Sequence, residues 1–182
     1  SLEPWTRAVK MADTGERQLL LATTPSTTRE VKLSEPIGVD QTCFFIRSES
    51  SWRYTKPSDL ENLRLGVIQD YNYDGEGPID QRIARYRKQK NPLLELSYGN
   101  DALQSNFRKL AAGRSDVLIE NENVGRHTLK LLGLENTIRP AGCISHYLGV
   151  LHIGVSRKMK NSDQVLRQIN QGVAELRSSG RL

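Results

Sequence analysis

Hydrogen-bonding side chains gather at three places in this sequence, and two of them follow directly on apolar, strand-like runs. Leu65-Gly66-Val67-Ile68 runs into Gln69, Asp70, Tyr71, Asn72 and Tyr73, and Asp116-Val117-Leu118-Ile119 runs into Glu120, Asn121, Glu122 and Asn123. The third is the hydroxyl-rich stretch Thr23, Thr24, Ser26, Thr27 and Thr28, which closes on Arg29. Such a set suits noncovalent capture of a small polar solute: hydroxyls and amides exchange hydrogen bonds, Arg29 holds an anionic group, and phenols supply walls. Taken singly, each cluster also reads as a loop, a turn or half of a surface ion pair. Two strand ends carrying polar clusters fit the rule that open α/β sheets bind ligands beyond the carboxyl ends of their strands.

Covalent chemistry has less support. No HExxH pattern, GxSxG elbow or Gly-rich phosphate loop is present, and Gly75-Glu76-Gly77 runs straight into Pro78. His127, His146 and His152 lack a metal-ligating partner at i+4, and His127 and His152 read as structural. Glu120 and Glu122 alternate with asparagines, so an extended chain points both to one side, but no nucleophile or water site accompanies them. The sequence therefore implies no enzyme, no cofactor and no metal. Cys43 and Cys143 fit no metal-ligand spacing; they read as two buried thiols or, in an exported chain, as one long-range disulfide.

These groups need a scaffold. With 182 residues, 37% hydrophobic and 26% charged, the chain is ordinarily globular and long enough for one large domain or two small lobes. No run is apolar enough to span a bilayer, since Tyr147–Val155 is too short and contains His152. No signal peptide is visible at Ser1-Leu2-Glu3-Pro4. Part of the net charge of +5 lies in Arg82, Arg85, Arg87, Lys88 and Lys90. Ile79, Ile83 and Tyr86 give that segment one apolar stripe, so it reads as a surface helix with a solvated basic face and not as a nucleic-acid site.

Helices are expected from Pro4 to a stop at Gly15, from Pro78 through the basic stretch, from a cap at Asn100 to Gly113, over Val124–Leu132, and along Leu166, Ile169, Val173 and Leu176. Strands are expected at Leu19–Ala22 (buried), Thr42–Ile46, Arg64–Ile68, Leu93–Ser97, Asp116–Ile119, Thr137–Arg139 and Tyr147–Val155. Ser58 and Glu61 form a capping box, and Ser48–Pro57 reads as a polar linker. From Leu65 to Leu132 strands and helices alternate, which implies a mostly parallel sheet.

The order of these segments resembles extracellular solute-binding protein family 3, the periplasmic polar-amino-acid receptors of ABC transporters. The resemblance rests on Pro4-Trp5-Thr6-Arg7-Ala8; Gly15-Glu16; Thr28-Arg29-Glu30 with Leu33-Ser34-Glu35-Pro36; Leu60 to Val67; Tyr71-Asn72-Tyr73; Leu110 to Asp116; and Ala174 to Gly180. It implies a type II periplasmic-binding-protein fold, α/β, with two lobes joined by two crossover strands and the ligand in an interlobe cleft that closes by a hinge. Lobe one would comprise 1–47 and 144–182, and lobe two 48–143, with crossovers near Arg47–Pro57 and Ala141–Tyr147.

The implied ligand residues are Thr24, Thr28 and Arg29 from lobe one and Tyr71, Asn72, Tyr73, Glu120 and Asn121 from lobe two. The implied partners are a polar solute, amino-acid-like or a carboxylate, and a membrane permease, in a periplasmic or extracellular setting. A ligand-sensing ectodomain and an enzyme on the same fold are the alternatives. Three departures from the family pattern stand out. The strand–helix–strand that opens lobe one is missing, which leaves the lobe incomplete and favours a homodimer through it. The stretch from Arg29 to Ser34-Glu35-Pro36 is two residues short. The acid that usually holds the ligand ammonium is Asn121 here.

Overall fold

The computed structural model describes residues 3–182. The chain forms two compact units, one built from both ends (1–40 and 149–182) and one continuous (41–148). These divisions differ from the expected 47/48 and 143/144, because the strand Thr42–Arg47 is hydrogen-bonded on both sides within the second unit. Arg47–Pro57 is accordingly not a crossover. Tyr54 of that segment stacks on Phe44 at 3.9 Å and donates its N–H to Ala141 O, and Trp52 Nε1 donates to Asp59 O.

The first unit is built on α1 (Trp5–Thr14), β1 (Leu19–Thr23), β2 (Val31–Leu33), β3 (Gly38–Asp40), β9 (Gly149–Ser156) and α5 (Ser162–Ser178). Long β9 is central: β1 pairs antiparallel along one side, while β2 and β3 share the other. The apolar side of α1 packs Trp5, Ala8, Val9 and Ala12 on Leu20, Val31 and Leu33. Gly15 closes α1 in the left-handed region, φ 81°, where Gly is unstrained. The expectation of a fully buried Leu19–Ala22 strand is corrected. Alternation turns only Leu20 toward α1, leaving Leu19 44% and Leu21 64% exposed on an edge strand.

The second unit contains β4 (Thr42–Arg47), a 3-10 turn Pro57–Leu60, β5 (Leu65–Ile68), α2 (Pro78–Lys88), β6 (Leu94–Ser97), α3 (Ala102–Ala111), β7 (Val117–Asn121), α4 (Glu122–Leu132) and β8 (Ile138–Cys143). The sheet order is β6-β5-β7-β4-β8, parallel from β6 to β7 and antiparallel around β4. Both faces are covered, so strands at the centre are apolar on both sides. In β4, Phe44 and Ile46 join the layer with Leu60, Leu65, Val67 and Ile79, while Cys43 and Phe45 join the layer with Phe107, Leu110 and Leu129.

Helix α4 lies close against β4, because Gly125 leaves room for the Phe45 ring that an added Cβ would strike. Gly125→Ala is expected to destabilise by about 1–3 kcal/mol through overpacking. Denaturant unfolding checks this, and an unchanged midpoint would contradict the packing described.

Two local caps and one helix stripe differ from expectation. Asp59, not Glu61, reaches back at Pro57–Leu60, accepting from Thr55 N (2.8 Å), Lys56 N (2.9 Å) and Thr55 Oγ1 (2.7 Å). The residue before α3 is Asp101, one past Asn100. The last helix buries only part of its stripe: Val173 is buried but Leu176 is 36% exposed.

Arg64 and Asp116 clamp the starts of β5 and β7. Arg64 donates from Nη2 (2.7 Å), Nε (3.1 Å) and its backbone N (2.9 Å) to the Asp116 carboxylate. The Arg64 hydrogen bond, aided by its charge, lowers the Asp116 pKa against the opposing effect of burial. A carboxylate depressed in the folded state contributes stability that is present above its unfolded value, about pH 3.9 for Asp, and lost as pH falls through the folded value. Asp116→Asn is therefore expected to be less stable than wild type at neutral pH and to lose less on acidification. Parallel acid-unfolding curves for both proteins would count against this role.

Candidate functional site

In the second unit, β5, β6 and β7 run parallel, so Ile68, Ser97 and Asn121 finish at the same sheet edge. The loop after β5 is shaped by two carboxylates that sequence reasoning overlooked. Asp80 accepts from Tyr73 N (2.9 Å), Asp74 N (3.1 Å) and Glu76 N (3.0 Å), while Asp74 accepts from Ile79 N (2.8 Å) and Asp80 N (3.0 Å). The carboxylates thus secure the loop and the start of α2 reciprocally, as a capping box does. Burial raises the Asp80 pKa against its backbone hydrogen bonds. The only sequence signal for this device was two aspartates flanking Gly75-Glu76-Gly77-Pro78.

That loop sorts the three expected residues differently. Tyr71 is 39% exposed and stands at the edge. Asn72 is exposed, but its Oδ1 accepts from Gly75 N at 2.7 Å and so helps make the turn. Tyr73 is corrected from ligand residue to core residue. It is 3% exposed, packs among Leu65, Val67 and Ile79, and accepts at its hydroxyl from Ile68 N at 2.8 Å. Burial, followed by the nearby Glu120 carboxylate, raises its pKa well above the ordinary phenol value. Tyr73→Phe would leave the Ile68 N–H without that acceptor and is expected to cost about 1–3 kcal/mol. Chemical denaturation that finds no loss would refute this pinning role.

At the end of β7, Glu120 is 4% exposed and accepts from Asn121 N at 2.8 Å. Asn121 caps α4, with Oδ1 accepting from Val124 N at 3.0 Å. Glu122 belongs to the first turn of α4 and pairs with Arg126 at 2.7 Å, so strand alternation does not carry through to it. Sequence reasoning also passed over Tyr98, which is 78% exposed just beyond β6 on the strand beside β5. A phenol followed by a glycine at a strand end was the available signal.

In the first unit, Thr24 and Thr28 serve the loop itself. Thr24 Oγ1 lies 3.0 Å from Ser26 Oγ and 3.1 Å from Thr27 Oγ1, and Thr28 Oγ1 donates to Asp13 Oδ1 at 2.7 Å. Arg29 differs. Its carbonyl accepts from Arg157 Nε at 2.9 Å, which fixes the backbone, while its exposed guanidinium has no hydrogen bond or ion pair among the described residues. The structure thus gathers Tyr71, Asn72, Glu120, Asn121 and Tyr98 along one sheet edge of the second unit, and places Arg29 on a loop of the first.

Cys43 and Cys143 form a disulfide between directly opposed residues of β4 and β8, with Cα atoms 3.9 Å apart. The alternative of two free thiols is thereby overturned, since the strand register brings together residues that are remote in sequence. No helix among the described residues is long and apolar enough to cross a membrane.

No protein-family model and no curated protein matches the sequence. Solved structures do. A histidine kinase sensor domain with similarity to periplasmic binding proteins is 19% identical, with TM-score 0.73 over 97% of this chain and 71% of that one. A mutant of the arginine-binding protein of T. maritima is 17% identical, with TM-score 0.75 over 100% and 72%. A protein of glutathione import via GshT and the cystine ABC importer TcyBC of Streptococcus mutans is 14% identical, with TM-score 0.76 over 100% and 72%. The chain therefore has the α/β fold of periplasmic binding proteins.

Proposed function

We propose that this protein binds a small polar solute, amino-acid-like or a carboxylate, without altering it, as the receptor of an ABC importer. The observation that carries the reading is the exposed Arg29 guanidinium, with no partner among the described residues, on a fold shared with arginine-binding and glutathione-import proteins. Within the first unit, Arg29 would take an anionic group. Within the second unit, Tyr71 and Asn72 would offer polar contacts at the strand ends, with Asn121 reading a polar group and Glu120, buried, acting behind it. Thr24 and Thr28 would hold the loop that aims Arg29.

The disulfide supports an oxidising location, periplasmic or extracellular, where such bonds persist. A membrane permease is the partner this role requires. A homodimer through the first unit belongs to the same proposal, supported by exposed Leu19 and Leu21 on edge strand β1. A sensing ectodomain is the second reading, favoured by the match to a histidine kinase sensor domain.

A thermal-shift screen of amino acids, carboxylates and short polyamines tests the binding role. The expected result is specific stabilisation by one class, with the compound recovered unchanged. A compound consumed on incubation would establish an enzyme instead, a reading for which an ancestral amino-acid-binding precursor of cyclohexadienyl dehydratase gives structural precedent at 13% identity.

A further inference from the structure

Cys43 Sγ, Cys143 Sγ and a Glu122 carboxylate oxygen, from β4, β8 and the first turn of α4, all lie within 4.8 Å of one another. Cys43 is buried, and Cys143 and Glu122 are half-buried; Cys43 belongs to a core layer against which Cys143 packs. Two sulfurs held across paired strands by backbone hydrogen bonds stay neighbours when the bond between them is cut. The surroundings are fixed by further bonds: Glu122 N donates to Gln41 O at 2.9 Å, and Ile144 N to Thr42 O at 2.9 Å. We propose that reduction of this disulfide uncovers a site for a thiolate-preferring cation such as Zn²⁺, ligated by Cys43, Cys143 and Glu122 with the fourth position left to water. Two thiolates and one carboxylate suit a soft or borderline cation and disfavour Mg²⁺ or Ca²⁺.

The steps balance. The Sγ–Sγ bond accepts two electrons and two protons from a dithiol reductant, which becomes a disulfide, and each thiol yields its proton as the cation binds. Arg126 opposes occupancy. It donates to Glu122 Oε1 from Nε (2.9 Å) and Nη2 (2.7 Å), leaving the second carboxylate oxygen for the cation. The site is independent of the solute-binding reading.

The test is anaerobic titration of the reduced, desalted chain with Co²⁺ alone, followed by displacement with Zn²⁺. The expected result is a thiolate-to-cobalt charge-transfer band saturating at one equivalent, absent from the oxidised chain and from Cys43→Ser and Cys143→Ser. Loss of outer-sphere partners alone weakens metal sites about 10–100-fold, so Glu122→Gln should weaken binding at least about tenfold. A reduced chain that gives no band overturns the proposal, as does a band that survives in either serine variant or one unchanged in Glu122→Gln. A reduced chain that loses its near-ultraviolet circular dichroism overturns it as well.

Discussion

Arg29→Ala is expected to weaken a carboxylate solute by about 10- to 100-fold, since hydrogen bonds to charged groups contribute about 1.5–3 kcal/mol and each tenfold in affinity is about 1.4 kcal/mol. The expectation follows from what surrounds the residue. Its backbone is anchored by Arg157, yet its guanidinium has no intramolecular acceptor among the described residues, so removing it disturbs no described contact of the fold. The thermal midpoint without solute should therefore stay close to wild type while affinity falls. Arg29→Lys keeps the charge but loses the planar fork, and should retain only part of the affinity. Calorimetry with the solute found by screening decides the matter, and an unchanged Kd for Arg29→Ala would remove Arg29 from the site.

Loss of the Cys43–Cys143 bond should produce the largest change in stability. The bond closes a loop of 100 residues, for which chain-entropy reasoning gives about 4–5 kcal/mol. A domain stable by about 5–15 kcal/mol survives such a loss with little margin. The double variant Cys43→Ser with Cys143→Ser is thus expected to remain folded but to unfold at clearly lower denaturant. Equal midpoints for the oxidised wild type and the double variant would show that the crosslink constrains little.

Much of the second unit was legible because its signals are local. Apolar runs of four or five residues, helix stripes and the stops at Gly113 and Gly133 fall in sequence beside the elements they delimit. Pairing was less legible. β4 reads as an apolar strand whatever its neighbours, and nothing in Thr42–Arg47 says that β7 and β8 flank it, so the unit boundary and the cysteine bond were both open.

The polar clusters of the candidate site were legible as clusters, but not the local role of each residue. Tyr71, Asn72 and Tyr73 are adjacent polar-capable residues, and only packing against Leu65 and Ile79 distinguishes the buried Tyr73 from the exposed Tyr71. Asn121 satisfies a helix cap with the same carboxamide oxygen that a ligand reading would use, so the sequence supports both roles equally. Tyr98 carried no pattern beyond its position after a strand.

The placement of β9 has a consequence for biogenesis. Every strand partner of β9 lies before residue 41, while β9 itself begins at Gly149. During vectorial synthesis the continuous segment 41–148 can collapse as it emerges, but β1, β2 and β3 wait for a strand made more than 100 residues later. Pairings of such high contact order form slowly. The first unit is thus the last to assemble, and its edge residues Leu19 and Leu21 spend the longest time exposed, while residues 41–148 are the natural autonomous folding unit.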